Sequence, residues 1–427
     1  MSKIKIGLLG FGNVGTGVYK IIKENGKEIF HREGLELEIK KILVKDIDKK
    51  RDIETDDSIF TDNITDIVND AEISIVAEFI GGINPAKQYI LEALKKGKTV
   101  VTANKELMAR HWPELEKTAQ ENRAGLYYEA SVAGGIPIIK VMNESLQGNK
   151  VYEVMGIING TTNYILTKMS EEGRDFQDVL AEAQKLGYAE ADPTSDIEGF
   201  DAMYKLSILA SIAFHTKVPI ENISREGITK ITAEDIAYGK ELGYVIRLLA
   251  IAKKEGTNVQ ARVHPTFIPV SHPLAAVRES YNAVFVKGDA VGNLMLYGRG
   301  AGDLPTGSAI VSDIVTACQQ KSGHRYTTFY NQEQASRQVR FEDNWETEFF
   351  IRMTVKDKPG VLAKIAGIFG ENEVSIASVI QKDHDKDFVP LIFVTHYAKE
   401  LSMKKAIEDI LREQDVIGIE NVIRVER

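Results

Sequence analysis

Residues 4–15, with the sequence IKIGLLGFGNVG, determine the predicted fold of the first part of the chain. A short apolar run is followed by glycines at positions 10, 12 and 15, and residues 14–22 then have the spacing of a helix. In this context Gly10 permits a tight turn, Gly12 admits a pyrophosphate close to the backbone, and Gly15 lets the helix pack on the strand. Free N–H groups at the start of the helix favour phosphates. The motif therefore predicts a dinucleotide site rather than a plain glycine-rich turn, and its expected contacts are Gly10, Phe11, Gly12, Asn13, Val14 and Gly15.

Further short apolar runs follow this motif and alternate with a helical stretch at residues 85–96. We predict strands at residues 37–44, 73–79, 99–102 and 126–130. Strands that alternate with helices are typical of a doubly wound, mainly parallel sheet. The first part of the chain is therefore predicted to be α/β, with a Rossmann dinucleotide-binding domain.

The composition excludes several classes of protein. The 427-residue chain has a formal net charge of −9, which gives no attractive field for nucleic acid. Its single cysteine, Cys318, excludes an intrachain disulfide and fits a reducing compartment. No apolar run approaches the ~20 residues that span a bilayer, and the first residues lack the pattern of a secretory signal. We therefore expect a cytoplasmic enzyme with no nucleic-acid or membrane partner.

The residues after the second predicted strand bear on which nicotinamide cofactor binds. An acidic side chain there binds the ribose 2′-hydroxyl of NAD, whereas a basic one accommodates the 2′-phosphate of NADP. Lys45 and Asp46 stand together, and Lys49, Lys50 and Arg51 follow them. The basic cluster favours NADP(H), with Lys45 as a cofactor contact, while NAD(H), the use of both, and a plain solvated loop stay open.

Two lysines and one acid are the candidate catalytic residues. Lys105 directly follows the fourth predicted strand, at the sheet edge where cofactor and substrate should meet. Asp201 and Lys205 are four residues apart and share a helix face, and the apolar residues 206–214 predict that this helix is buried. The alternative is an ordinary surface salt bridge. An acid and a lysine at the start of a buried helix favour the catalytic role.

Longer motifs carry a resemblance to a known family. They are GFGNVG at residues 10–15, TANK at 102–105, EASVAGGIP at 129–137, GIINGTTN at 156–163, LGYAEADPTSDIEGFDAMYKL at 186–206 and YGRGAGDLPTGSAIVSD at 297–313. Over nearly its whole length the chain resembles the homoserine dehydrogenase family, in the bacterial form with a C-terminal ACT domain. Ser195 departs from the family pattern, in which an acid is common beside Asp196, so the role of that position stays open.

The resemblance implies an activity and residue roles. The implied reaction is the reversible NAD(P)H-dependent reduction of L-aspartate 4-semialdehyde to L-homoserine, a step in threonine, methionine and isoleucine biosynthesis. It implies that Lys205 donates or accepts the proton at the C4 oxygen, and that Asp201 holds Lys205 and the substrate hydroxyl. It places Lys105 beside the nicotinamide. It also implies that Glu190 binds the substrate ammonium and that Gly187 contributes backbone contacts.

Two glycine-rich segments complete the predicted site. The run Gly300-Ala301-Gly302 is expected to return near the cofactor, which makes Gly302 a predicted cofactor contact. The turn at residues 129–137 exposes carbonyl groups that suit a hard monovalent cation, although a plain turn is the alternative. The resemblance implies a sodium ion on the backbone oxygens of Glu129, Val132, Gly134 and Ile136.

Three domains are predicted. Residues 1–135 with about 305–340 form the nucleotide-binding domain, residues 136–304 an α+β catalytic and dimerisation domain, and residues 348–427 a C-terminal ferredoxin-like ACT domain of βαββαβ order. The polar stretch at 319–344 is predicted to be a connection. A helix start after Gly360 offers free N–H groups to a carboxylate, so an amino-acid effector such as threonine is expected there, unless the module is purely structural. The resemblance implies a homo-oligomer, either a dimer or a tetramer.

Two other functions stay open at this point. Aspartate-semialdehyde dehydrogenase would need a nucleophilic cysteine in the middle of the chain, whereas Cys318 stands in an ordinary helical stretch without a partner base. A non-enzymatic metabolite sensor would bind the cofactor without turnover. The sensor hypothesis leaves Asp201 and Lys205 unexplained.

Overall fold

The computed structural model describes residues 2–51, 53–319, 339–381 and 387–427. In chain order, the described strands are β1 Ser2–Leu9, β2 Leu35–Leu43, β3 Phe60–Thr61, β4 Ile73–Glu78, β5 Thr99–Thr102, β6 Leu126–Tyr127, β7 Val151–Ile157, β8 Ser224–Arg225, β9 Tyr244–Glu255, β10 Asn258–Pro269, β11 Tyr281–Gly288, β12 Gly292–Arg299, β13 Arg340–Phe341, β14 Glu346–Lys356, β15 Ile376–Gln381, β16 Phe388–Thr395, β17 Ala398–Lys399 and β18 Val416–Val425.

The described α-helices are numbered in the same way. They are α1 Asn13–Glu33, α2 Thr65–Val68, α3 Ala86–Lys95, α4 Lys105–Glu121, α5 Ile138–Lys140, α6 Gly160–Glu172, α7 Phe176–Lys185, α8 Thr194–Ile197, α9 Phe200–Phe214, α10 Ala233–Glu241, α11 Asp303–Gln319, α12 Val361–Glu371 and α13 Glu400–Ile410. The chain forms two compact units. Unit 1 comprises Met1–Val154, Asp201–Glu221 and Tyr281–Val339, and unit 2 comprises Met155–Phe200, Asn222–Ser280 and Arg340–Arg427.

A six-stranded parallel sheet organises the first part of unit 1. Its strand order is β3-β2-β1-β4-β5-β6, so the direction of winding reverses between β1 and β4. Doubly wound sheets bind their ligands at this reversal, beyond the carboxyl ends of the strands. The predicted α/β fold with a Rossmann domain is confirmed.

The core of this sheet is formed by apolar side chains from its central strands and from two helices. Ile6 and Leu8 of β1 are fully buried, as are Val101 of β5 and Ile310 and Ile314 of α11. Helix α11 therefore packs with the dinucleotide fold, although it begins far along the sequence from the last strand of this sheet.

The prediction of a fifth strand at residues 126–130 is wrong in its second half. Strand β6 ends at Tyr127, and Glu129–Ser131 form a 3₁₀ turn. The backbone N–H of Glu129 donates to the Asp313 carboxylate at 2.9 Å, and the Glu129 carboxylate accepts from the backbone N–H of Ile139 at 2.9 Å. These bonds satisfy Glu129 outside a strand ladder, which is why the apolar sequence does not continue as a strand.

Unit 2 contains a mixed sheet with the strand order β9-β10-β18-β14-β16-β15. Strands β9 and β10 form a long antiparallel hairpin, and β18 pairs with β10 in parallel and with β14 in antiparallel orientation. Strands β14, β15, β16 and β18 with helices α12 and α13 follow the βαββαβ order, so the predicted ferredoxin-like module is confirmed. Its second helix begins at Glu400 and ends at Ile410.

The predicted connection at residues 319–344 falls largely outside the described residues. Within its described part, Arg340 and Phe341 form β13, which pairs with β10. Across the described ranges, no helix has both the length and the apolar character needed to cross a membrane.

Candidate active site

The glycine motif forms one wall of a cavity of about 650 Å³ at the carboxyl ends of β1, β2 and β4. Gly10 has φ +103°, a backbone conformation that glycine adopts without strain. A Cβ on Gly15 would lie 2.5 Å from the Gly10 carbonyl oxygen, whereas a Cβ on Gly12 would meet nothing within 4 Å. Gly15 thus permits packing within the protein, and Gly12 leaves free space where a pyrophosphate would approach. The first turn of α1 carries Asn13 and Val14, and Phe11 lines the cavity.

Basic side chains surround the end of β2 in the same cavity. Lys45, Lys49 and Arg51 line it, together with the acidic Asp46. The Arg51 guanidinium lies 4.1 Å from the centre of the Phe60 ring and donates to the Asp46 carbonyl oxygen at 2.7 Å. The Asp46 carboxylate accepts from the backbone N–H of Asp48 at 3.0 Å. Because these contacts fix the Arg51 guanidinium at this position, it is suited to bind a phosphate on the ribose.

A buried hydrogen-bond network, which sequence patterns did not predict, holds the loops after β4 and β5. The fully buried Glu78 accepts from the Thr102 hydroxyl at 2.6 Å and from the Ile80 backbone N–H at 2.7 Å. Burial raises the pKa of Glu78, against the opposing effect of these hydrogen bonds. The Asn104 amide donates to the Gly82 carbonyl oxygen at 2.7 Å, and its oxygen caps α4. This network fixes the start of α4, where Lys105 stands.

The candidate catalytic residues meet at one carboxylate. One Asp201 oxygen lies 2.8 Å from the Lys105 Nζ, and the other accepts from the Lys205 Nζ at 2.7 Å. The side chains of Asp201 and Lys205 are 5% and 11% exposed, whereas Lys105 is 42% exposed. Spacing predicted the Asp201–Lys205 pair, but the fold alone brings Lys105 to the same group.

The electrostatics of Asp201 follow from this arrangement. Burial opposes its ionisation, but the attraction of the Lys205 and Lys105 ammonium groups outweighs burial and holds the pKa of Asp201 well below its ordinary value. Asp201 is therefore a carboxylate throughout the neutral range. The buried Asp201 carboxylate therefore orients the ammonium groups of Lys105 and Lys205. Together these groups provide positive charge and a proton donor beside the sheet edge.

Helix α9 carries Asp201 and Lys205 and is tied to α4 by polar contacts. Arg110 donates to the Tyr204 hydroxyl at 3.1 Å and to the Glu106 carboxylate at 3.1 Å. Lys217, which follows α9, donates to the Ala109 carbonyl oxygen, and burial lowers the pKa of Lys217 to about 8. These contacts fix α9 relative to the helix that begins at Lys105.

The predicted cation turn and the segment around Gly302 pack together. A Cβ on Gly134 would lie 2.4 Å from the Gly300 carbonyl oxygen, so only glycine permits this approach. Gly302 has φ +121°, and its carbonyl oxygen accepts from the Thr306 N–H at 3.2 Å. Within the turn, the Glu129 carbonyl oxygen accepts from Val132 and the Ile136 carbonyl oxygen from Ile138.

Two buried carboxylates adjoin this turn. Burial raises the pKa of Glu129 to about 7, and burial together with the nearby Glu129 charge raises the pKa of Asp313 to about 8. Among the described residues, no group of three or more His, Cys, Asp or Glu side chains is placed to hold a metal ion.

The two predicted substrate residues Gly187 and Glu190 lie in unit 2 and are exposed. Gly187 has φ +79°, and the Glu190 carbonyl oxygen accepts from the Gln184 amide at 3.1 Å. Helix α8, which follows this loop, contains Asp196, whose carboxylate accepts from the Asn159 amide at 2.7 Å. This bond places the acidic loop against the start of α6, which the Asn159 side chain caps.

Three family models match the chain. They are homoserine dehydrogenase at residues 137–315, the homoserine dehydrogenase NAD binding domain at residues 10–129, and the ACT domain at residues 349–412. A homoserine dehydrogenase of Bacillus subtilis is 41% identical over 430 residues, which cover 100% of this chain and 99% of that relative.

Solved structures agree with these matches. The crystal structure of a homoserine dehydrogenase from Thiobacillus denitrificans has a TM-score of 0.90 and 40% identity, covering 100% of this chain and 98% of that one. A hyperthermophilic archaeal homoserine dehydrogenase in complex with NADPH has a TM-score of 0.64 and 29% identity, covering 76% of this chain and 100% of that one. The chain belongs to the homoserine dehydrogenase family, NAD(P)-dependent oxidoreductases that act on a hydroxyl group, and it carries a C-terminal ACT domain.

Proposed function

We propose that Lys205, Asp201 and Lys105 form the catalytic group for the reversible reduction of L-aspartate 4-semialdehyde to L-homoserine, in threonine, methionine and isoleucine biosynthesis. The observation that carries this proposal is the buried Asp201 carboxylate, which holds both lysine ammonium groups at 2.7–2.8 Å. The reduced nicotinamide, when bound, supplies the hydride. An aldehyde that accepts hydride develops negative charge on its oxygen, and the two ammonium groups are suited to stabilise that charge.

Lys205 is the proposed proton donor in this direction. As the carbonyl π electrons move to the oxygen, a proton passes from the Lys205 ammonium to that oxygen and the alcohol forms. In the reverse direction the neutral amine takes the hydroxyl proton. Asp201 positions Lys205 and accepts a hydrogen bond from the substrate hydroxyl, while Lys105 stands at the start of α4, just after β5.

Glu190 and Gly187 are the proposed contacts of the amino-acid part of the substrate. An exposed carboxylate at Glu190 is complementary to the substrate ammonium, and the exposed backbone of Gly187 adds hydrogen-bonding groups. These two contacts would fix the end of the substrate that does not react.

The cavity at the carboxyl ends of β1, β2 and β4 is the proposed cofactor site. Free space above Gly12 suits a pyrophosphate, and Lys45, Lys49 and Arg51 suit the 2′-phosphate of NADP(H). The NADPH complex of the archaeal relative supports this choice. Asp46 lies in the same cavity and retains the use of NAD(H) as an alternative.

A sodium ion on the backbone oxygens of Glu129, Val132, Gly134 and Ile136 is a further proposal. Two buried carboxylates, of Glu129 and Asp313, adjoin this turn, and a cation there would offset the cost of burying them together. The ion would have a structural role, because it would fix the turn that packs against Gly300.

The ACT module is the proposed regulatory domain, and the domain limits are those predicted from the sequence. A cavity of about 320 Å³ borders the start of α12 and is lined by Asp357, Lys358, Gly360 and Gln381 among others. Free N–H groups at this helix start favour the carboxylate of an amino acid such as threonine. Millimolar L-threonine should therefore change the rate or the thermal stability, and no effect on either would contradict regulation by threonine. We also propose a homo-oligomer, a dimer or a tetramer.

The activity is tested with the purified full-length chain. L-Homoserine and NADP⁺ should form NADPH without added phosphate, and L-2-aminobutyrate, which lacks the reacting hydroxyl, should give none. Oxidation of the semialdehyde that depends on phosphate would indicate an aldehyde dehydrogenase instead. NADPH binding without turnover in either direction would favour a sensor.

A further inference from the structure

A second cavity, of about 400 Å³, lies in unit 2, and none of the residues assigned to catalysis lines it. It is formed by α6, α10, the start of β9 and the segment after β10. Most of its lining is apolar. The apolar lining residues are Ile236, Tyr244, Val245, Ile246, Val270 and Ala275.

One charged residue in this apolar cavity has no acidic partner. Arg247 is 2% exposed, and its terminal nitrogens donate only to the backbone carbonyl oxygens of Ile246 at 2.8 Å and Ala275 at 3.0 Å. Its Nε is buried without a hydrogen-bond partner, and among the described residues no carboxylate lies within 4.0 Å of it. Burial, together with the Arg278 charge and against the attraction of Glu171, lowers the pKa of Arg247 to about 10, so the guanidinium keeps its charge at neutral pH. A buried cation that no carboxylate contacts directly destabilises a fold.

The neighbouring polar groups also favour an anion as the ligand of this cavity. The Thr167 hydroxyl, which also lines the cavity, is buried and has no hydrogen-bond partner in the described part of the chain. Lys240 and Arg278 add positive charge to the lining, and Glu171 is its one acid among the described residues, paired with Arg278 at 3.2 Å. The lining is therefore positive overall, with an apolar body and two unsatisfied donors.

We propose that this cavity binds a small carboxylate with an apolar body, at a site separate from catalysis and from the ACT module. The carboxylate accepts from Arg247 and Thr167 and neutralises the buried guanidinium. The apolar part packs against Ile236 and Val270. Because the ligand would offset an existing electrostatic cost, its charge is the feature that the site selects.

The test is calorimetric titration of the full-length chain with 4-methylpentanoate and with its neutral amide. We expect saturable binding of the acid and at least about 10-fold weaker binding of the amide. Arg247→Met should weaken the acid at least about 10-fold, and Thr167→Val should weaken it measurably without loss of fold. Arg412→Met, the matched control with an exposed arginine of unit 2 that does not line the cavity, should leave the affinity within about 3-fold.

Three outcomes would overturn the proposal. They are no saturable binding of the acid, equal binding of acid and amide, and binding that Arg247→Met and Thr167→Val leave unchanged although both variants fold. A second copy of the chain seated over the rim would also overturn it. In that case the wild type would be an oligomer that binds no carboxylate, and the Val270→Arg substitution would dissociate the oligomer.

Discussion

The replacement Asp201→Asn removes the anion between two lysines and keeps its shape. Loss of one partner of a buried ion pair costs about 3–5 kcal/mol. The pair with Lys205 joins side chains 5% and 11% exposed, so it supplies most of this cost. Lys105 is 42% exposed, and solvent screening limits its share to about 0–1 kcal/mol. We expect a loss of about 3 kcal/mol, which at about 2–4 °C per kcal/mol lowers Tm by roughly 6–12 °C.

The pH dependence of this loss has a definite sign. The folded state holds the pKa of Asp201 below its unfolded value of about 3.9. Its stabilisation is therefore fully present above about pH 4 and is lost as the pH falls through the folded pKa. The difference in Tm between the wild type and Asp201→Asn should be equal at pH 7.5 and pH 5.5 and should narrow in strong acid.

Thermal unfolding by calorimetry measures this prediction, with two further variants. Asp201→Asn/Lys205→Met should recover at least half of the loss, because the unpaired buried ammonium is also removed. Glu121→Gln breaks an exposed pair with Lys117, at 3.9 Å and 61–77% exposed, and should change stability by less than about 0.5 kcal/mol. The reasoning is refuted if Asp201→Asn melts within about 1 °C of the wild type, or if the double variant is no more stable than the single one.

Three other predictions concern the cofactor and the cysteine. Arg51→Ala should lower kcat/KM for NADPH by about 10- to 100-fold and leave kcat/KM for NADH within about 3-fold, because a charged contact to the 2′-phosphate is lost. Equal losses of kcat/KM for both cofactors would contradict this prediction. Gly12→Val should keep the Tm of the unliganded chain but weaken NADPH binding in a fluorescence titration, whereas Gly15→Val should lower Tm itself, since its Cβ meets the Gly10 carbonyl oxygen at 2.5 Å. Burial raises the pKa of Cys318 to about 11, so iodoacetamide at pH 8 should leave the rate unchanged. The Cys318→Ser variant should also keep the wild-type rate. If iodoacetamide inactivated the wild type but not this variant, the result would support a thiolate mechanism.

The sequence predicted the features that depend on local spacing. Glycines between a strand and a helix located the cofactor crevice, and a separation of four residues placed Asp201 and Lys205 on one helix face. Both patterns act through neighbouring residues, so the fold adds little to them. The predicted βαββαβ module likewise follows from the alternation of short elements.

Long-range contacts could not be predicted in this way. Lys105 reaches Asp201 because α4 and α9 are in contact in unit 1, which no local pattern encodes. Glu78 ends an apolar strand and appears in the sequence only as its polar terminus, yet it is buried and holds two loops. Its position at the carboxyl end of a parallel strand was the one available signal.

Arg247 shows the same limit in unit 2. It stands in the run YVIRLLAIA, where a basic residue within a strand predicts a solvent-facing position. In the structure the side chain is buried and donates to backbone carbonyl oxygens. The surroundings that bury it come from α6 and from the segment after β10, so only the tertiary fold shows that its charge is uncompensated.

The central claim is that Lys205 donates the proton, and the single-turnover rate of semialdehyde reduction at saturating NADPH tests it most directly. Lys205→Met should slow this step by about 10²- to 10⁴-fold, or about 2.7–5.5 kcal/mol, with the Kd for NADPH within about 3-fold of the wild type. Lys117→Met, which removes a lysine of α4 that is 77% exposed and pairs with Glu121 at 3.9 Å, should keep the rate within about 3-fold. A Lys205→Met rate above about one third of the wild type would contradict the account.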